Sequence, residues 1–201
     1  MKRSNPMTDL ALVAVFAALI AAVTMWMPGI NVAGSTVPIT LQTLAITLAA
    51  MVLGPWRGFF ATLLWLVVGL AGIPVFARGA SGLAVLKGAS AGFLIGFPVY
   101  ALLCGFLSYA LVRRALRSSK GTAGAAVGLA AIAILCSALI IYPFGIAGMM
   151  YNVHMTFSKA WKVNVAYFPG DLIKIVLASI VSVAVHKAFP MLALSGRGNR
   201  D

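Results

Sequence analysis

The chain contains no glutamate, and its only acids are Asp9, Asp171 and Asp201. That is a poor basis for paired-carboxylate catalysis. It also excludes the run of intramembrane acids that proton- or sodium-coupled carriers use. No Gly-x-x-x-x-Gly-Lys-Ser/Thr phosphate loop is present, so ATP hydrolysis by that route is excluded. Neither His-Glu-x-x-His nor Gly-x-Ser-x-Gly appears. The two cysteines, Cys104 and Cys136, lie inside apolar runs, where packing accounts for them better than a disulfide or a metal pair. His154 and His186 are too far apart to suggest a metal site, and no cofactor is implied. Charged residues make up 9% of the chain, against about a quarter in soluble domains.

What is present is apolar: 62% of 201 residues, with a mean hydropathy of +1.05. A chain this short cannot hide that much apolar surface inside a soluble fold. A membrane-crossing helix takes about 20 apolar residues, so the chain predicts an all-α integral membrane protein with six spans in one transmembrane domain, 1–201. Twelve-span carriers are excluded by length. The expected spans are roughly 10–27, 38–53, 58–72, 88–112, 122–142 and 169–188. The basic start, Met1-Lys2-Arg3, resembles a signal peptide, but no small-residue cleavage site follows and the composition continues unchanged, so this run is read as the first span.

Fifteen lysines and arginines give a net charge of +12. They sit in gaps between apolar runs and not along one solvated face, which argues for topology and against a nucleic-acid partner. With the N-terminus inside, Lys2, Arg3, Arg57, Arg113, Arg114, Arg117, Lys120, Lys187, Arg197 and Arg200 are cytoplasmic. Arg78, Lys87, Lys159 and Lys162 are then outside. This asymmetry predicts two cytoplasmic termini. Trp26, Tyr142, Trp161 and Tyr167 on one side, and Trp56 and Tyr109 on the other, suit interfacial belts.

Two stripes of small residues stand out. Gly88, Gly92 and Gly96 open the fourth span and are read as internal packing. Ala14, Ala18 and Ala22 line the first, where internal packing competes with docking of another membrane subunit. Ionisable groups at membrane depth are costly and are candidates for function. Asp171 and Lys174, three residues apart, share one face of the last span, and Ala178 and Ser182 continue that face with small side chains. The plain alternative is a helix-start pair, with Pro169 in the first helical position and Lys174 snorkelling outward. Thr40 and Gln42 open the second span. Arg78 and Lys87 flank the flexible run Gly79-Ala80-Ser81-Gly82, and Asn164 and Tyr167 precede the last span. For Asn164 and Tyr167 the competing account is interfacial anchoring. Together these groups specify an outward-facing cavity for a small, partly apolar ligand with an anionic end and a donor-rich polar end.

Five segments in order carry a family likeness: Pro38-Ile39-Thr40-Leu41-Gln42-Thr43-Leu44, Leu53-Gly54-Pro55 with Gly58, Gly69-Leu70-Ala71-Gly72-Ile73-Pro74-Val75-Phe76, Leu86-x-Gly88 with Gly92-Phe93, and Phe168-Pro169-Gly170-Asp171-x-x-Lys174. The chain resembles the BioY family, the biotin-binding S components of energy-coupling factor (ECF) transporters. The resemblance implies a six-helix S-component bundle in a prokaryotic cell membrane that holds one biotin near the outer face. It further implies a transmembrane coupling subunit and two ABC ATPases as partners, with the S component toppling in the bilayer to deliver its ligand. On this reading Ala14, Ala18 and Ala22 dock the coupling subunit. Asp171 and Lys174 match the family's ligand-contacting pair, and Gln42 and Asn164 fall on family-typical polar positions. The family commonly reads Gly-Pro-Thr/Ser-Gly-Gly-Tyr where this chain has Gly88-Ala89-Ser90-Ala91-Gly92-Phe93. By its place, Lys87 is expected to take over part of the lid's role. The competing readings are an S component for another vitamin, a self-sufficient secondary carrier and, least favoured by the residues, a membrane-embedded enzyme.

Overall fold

The computed structural model describes residues 6–26, 40–117 and 122–189. The segment 28–37, residues Pro38 and Ile39, and the basic residues Lys2, Arg3, Lys120, Arg197 and Arg200 lie outside the described residues. Within them the chain is helical, with no strand: α1 (Pro6–Trp26), α2 (Gln42–Leu53), α3 (Pro55–Leu70), α4 (Ala91–Arg117), α5 (Thr122–Cys136), α6 (Tyr142–Asn152) and α7 (Phe157–Ala188). A π-helical turn, Ser137–Ile141, joins α5 to α6, so seven labels describe six rods. Four stretches, Pro6–Trp26, Ala91–Arg114, Gly124–Asn152 and Phe157–Ala188, are long and apolar enough to cross a bilayer, and α2 and α3 are shorter apolar helices beside them. The chain is a multi-pass membrane protein.

The helix α2 is the axis of the bundle, with nine of its 12 residues buried. Its length, about 18 Å at 1.5 Å per residue, falls well short of the hydrocarbon thickness, and Thr40 and Leu41 just before it are non-helical and half-buried. Such backbone is tolerated at membrane depth where it lines a cavity. At its far end Gly54 adopts φ +80°, a conformation that favours glycine, and Pro55 starts α3 without a wasted N–H. Arg57 on α3 pairs with Asp9 on α1 at 2.6 Å, tying α1 down at that end. The helices α2 and α7 run parallel, since Thr43 meets Lys174 at one end and Met51 meets His186 at the other.

Two prolines lie inside rods at the expected span boundaries. The fifth span is expected to end near Tyr142, yet the rod continues through Pro143 to Asn152. The π turn, which ends two residues before Pro143, takes up one extra residue where the proline ring and its missing N–H would disrupt an α ladder. Pro169 was read as the first residue of the last helix, but it lies inside α7, which starts at Phe157. Asp171 therefore stands mid-helix, and the helix-dipole account of it does not apply. Membrane helices tolerate internal proline because neighbouring groups satisfy the freed carbonyls.

Of the three glycines read as one stripe, Gly92 and Gly96 are internal packing on α4, whereas Gly88 precedes the helix in the turn after Lys87, where a Cβ would meet only the Val85 carbonyl at 3.4 Å. A Cβ on Gly92 would run into the Phe144 carbonyl of α6, and one on Gly148 would come within 2.6 Å of the Gly92 nitrogen. After α3 the chain folds back over the bundle end. Phe76 packs edge-on against Trp65 with ring centroids 5.1 Å apart, in the space left by Gly69, and the Trp65 indole donates to the Val75 carbonyl at 3.1 Å. Asn152 pins the next turn, donating through Nδ2 to the carbonyls of Leu86 (2.9 Å) and Gly88 (3.0 Å). This cover, 71–90, roofs the site.

Candidate functional site

Beneath that roof, between α2, α4 and α7, lies a cavity of about 200 Å³. Its deep polar end is made by Asp171 and Lys174, which remain 8% and 7% exposed. The Lys174 ammonium donates to Asp171 Oδ1 at 2.7 Å, to the Thr40 carbonyl at 2.9 Å and to Thr43 Oγ1 at 3.0 Å. An ammonium has three donors, so all are engaged. The Thr40 carbonyl is available because α2 begins only at Gln42. Asp171 also accepts from Thr43 Oγ1 on Oδ1 at 3.2 Å, and from the Tyr142 phenol on Oδ2 at 3.3 Å. Thr40 Oγ1 donates to Gln42 Oε1 at 3.2 Å, orienting that amide at the cavity wall. A buried ion pair is tolerable when further hydrogen bonds satisfy both partners, and the threonines and Tyr142 supply them.

The rest of the wall is apolar and aromatic: Phe93, Leu94 and Phe97 from α4, with Tyr167 from α7 packed edge-on against Phe93 at 6.3 Å. Arg78, in the roof, lines the same space from a left-handed backbone position, φ +60° and ψ +26°. A non-glycine residue held there is strained, and such strain clusters at binding sites.

Of the residues singled out by sequence, the structure brings Thr40, Gln42, Arg78, Tyr167, Asp171 and Lys174 to one cavity. Lys87 is exposed on the roof and does not line it. Asn164 is 3% exposed and also off the wall: Nδ2 donates to the Ala160 carbonyl at 2.8 Å and approaches Met149 Sδ at 3.8 Å, while Oδ1 is buried without a partner. Ala14, Ala18 and Ala22 are all exposed, on the side of α1 away from the buried Ala17, Ile20 and Thr24. Trp26, Trp56 and Trp161 are exposed as belt residues should be, whereas Tyr142 and Tyr167, read as interfacial, turn inward. Sequence reasoning missed Thr43 and Tyr142. Thr43 lay inside a quoted motif, one turn before the buried Thr47. Tyr142 carried no local signal beyond an aromatic hydroxyl at the end of an apolar run.

Known proteins share both sequence and shape with this chain. The BioY family profile matches residues 1–191. The biotin transporter BioY of Rhizobium etli is 36% identical over 92% of this chain and 96% of its own length. That of Rhodobacter capsulatus is 35% identical over 94% and 98%. A solved S-component for biotin from an ECF-type ABC transporter superposes with a TM-score of 0.78 at 24% identity, over 93% of this chain and 95% of the other, which places the fold among S components. The chain belongs to the BioY family.

Proposed function

We propose that the chain captures biotin in this cavity as the substrate-binding subunit of an ECF-type transporter. The observation that carries the reading is the buried Asp171–Lys174 pair, its lysine donors all engaged, at the polar end of a cavity walled by Phe93, Leu94, Phe97 and Tyr167. The ligand suited to it has a compact polar head that donates hydrogen bonds, an apolar body and an anionic tail. Biotin has these as its ureido ring, its fused thioether ring with aliphatic chain, and its carboxylate. Asp171 accepts from a ureido N–H, Phe93, Leu94 and Phe97 hold the apolar body, and Arg78 meets the carboxylate. Lys174 does not compete for the carboxylate, because its three donors are spent on its own chain. Its part is to hold Asp171 in place.

The termini are cytoplasmic on the balance of basic residues, with the cavity opening outward. A transmembrane coupling subunit and two ABC ATPases supply the energy, and the coupling subunit docks on the exposed face of Ala14, Ala18 and Ala22, where small side chains allow close helix approach. The deciding experiment is isothermal titration of the detergent-purified protein with biotin, with thiamine, riboflavin and niacin as competitors. Saturable binding of biotin that the other vitamins do not displace is expected, and its absence overturns the reading.

A further inference from the structure

Tyr142 is not part of the cavity wall, although its neighbour Ile141 is. Its hydroxyl nevertheless reaches the wall's one carboxylate, donating to Asp171 Oδ2 at 3.3 Å across 29 residues of sequence. An ionised carboxylate offers about four acceptor positions, two on each oxygen. Oδ1 has both filled, by Lys174 at 2.7 Å and Thr43 at 3.2 Å. With the phenol on Oδ2, one position is left, and it belongs to the oxygen that neither Lys174 nor Thr43 holds.

We propose that Tyr142 is a positioning residue of the binding site, fixing the Asp171 carboxylate so that one Oδ2 lone pair faces a single N–H donor of the ligand. The inference rests on the biotin reading above and extends it. The π turn is what delivers the phenol. Tyr142 is the first residue after Ser137–Ile141, and each residue of an α-helix turns the chain by about 100°. Without the extra residue the side chain would leave the sector occupied by Asp171. The turn that absorbs Pro143 thus also sets the register at which Tyr142 meets the carboxylate. The bond is long for an O–H···O contact at 3.3 Å, but a low-dielectric interior strengthens a hydrogen bond relative to water, so it restrains the carboxylate rotamer.

The test is titration of wild type and Tyr142→Phe with biotin and with the two singly N-methylated ureido analogues, alongside thermal unfolding in detergent. The substitution keeps the ring and removes only the hydroxyl. It is expected to lower biotin affinity about tenfold, in line with a hydrogen bond to a charged group, and to leave the unfolding midpoint within a few degrees of wild type. For the analogue whose methyl replaces the N–H that Asp171 accepts, wild type and variant bind alike. Unchanged biotin affinity in the variant overturns the proposal, as does an equal loss for biotin and both analogues, which marks a role in packing alone. Wild-type protein that does not bind biotin overturns the functional reading, and this inference with it.

Discussion

Lys174 and Asp171 stand one turn apart on α7 and meet at 2.7 Å, and each of the three lysine donors has an oxygen of its own chain within 3.0 Å. The pair is a structural joint between α2 and α7 as well as a cavity wall. Breaking a buried pair by removing one partner costs about 3–5 kcal/mol, because a charge is left uncompensated, whereas removing both is far milder. Asp171→Asn and Lys174→Ala should therefore each lower the unfolding midpoint in detergent and weaken biotin binding by at least about a hundredfold. The double variant Asp171→Asn/Lys174→Met should recover much of the stability and none of the affinity. Recovery of affinity would show that the pair merely holds the helices together.

Arg78 and Lys87 flank the same roof, and only Arg78 lines the cavity. If Arg78 meets the ligand carboxylate, Arg78→Ala should weaken biotin by about ten- to a hundredfold, since hydrogen bonds to charged groups contribute about 1.5–3 kcal/mol. The same variant should bind biotin amide about as well as wild type does. Lys87→Ala should leave both affinities unchanged. Titration of the two variants with the two ligands separates these outcomes, and a matching loss for acid and amide would remove Arg78 from the carboxylate.

Asn152 ties the roof to the end of α6 through two bonds to the carbonyls of Leu86 and Gly88. Asn152→Ala frees both carbonyls and should loosen the cover while the deep polar end stays intact. The expected signature is kinetic: faster biotin dissociation, by about five- to thirtyfold for one or two net hydrogen bonds of about 1 kcal/mol each, with little change in association rate. Stopped-flow displacement of a fluorescent biotin derivative reads both rates. An unchanged dissociation rate would show that the buried Phe76 and the Trp65–Val75 bond hold the roof without Asn152.

The parts of this protein legible in its sequence are those that short-range chemistry determines. Long apolar runs cannot stay in water, so the all-α membrane architecture follows from composition, and the resemblance carried by five ordered motifs agrees with the S-component fold. The unusual acid and base at Asp171 and Lys174 marked the site because a charge at membrane depth demands a reason. What escaped depends on contacts made through space. Thr43 reaches Asp171 across 128 residues, and no local spacing announces such a bond. The end of the fifth span and the start of the sixth fall elsewhere than expected, because Pro143 and Pro169 sit inside helices whose neighbours and π turn satisfy the backbone. Lys87 was judged by its neighbours in sequence, but the turn that carries it points it into solvent.

The two small-residue stripes look equivalent as sequence and have opposite surroundings, which makes their substitutions diverge. A Cβ on Gly92 meets the Phe144 carbonyl, a backbone atom that cannot yield without moving α6. Gly92→Ala should therefore cost about 1–3 kcal/mol through overpacking, lower the unfolding midpoint by several degrees and weaken biotin binding, because Phe93 beside it forms the cavity wall. Ala18 is exposed on the outer face of α1, so Ala18→Leu has nothing in this chain to strike and should leave both the midpoint and the biotin affinity at wild-type values. If that face receives the coupling subunit, the leucine prevents close helix approach, and biotin uptake by cells carrying the complete transporter should fall sharply while the purified subunit still binds. Uptake at the wild-type rate would place the docking surface elsewhere on the bundle.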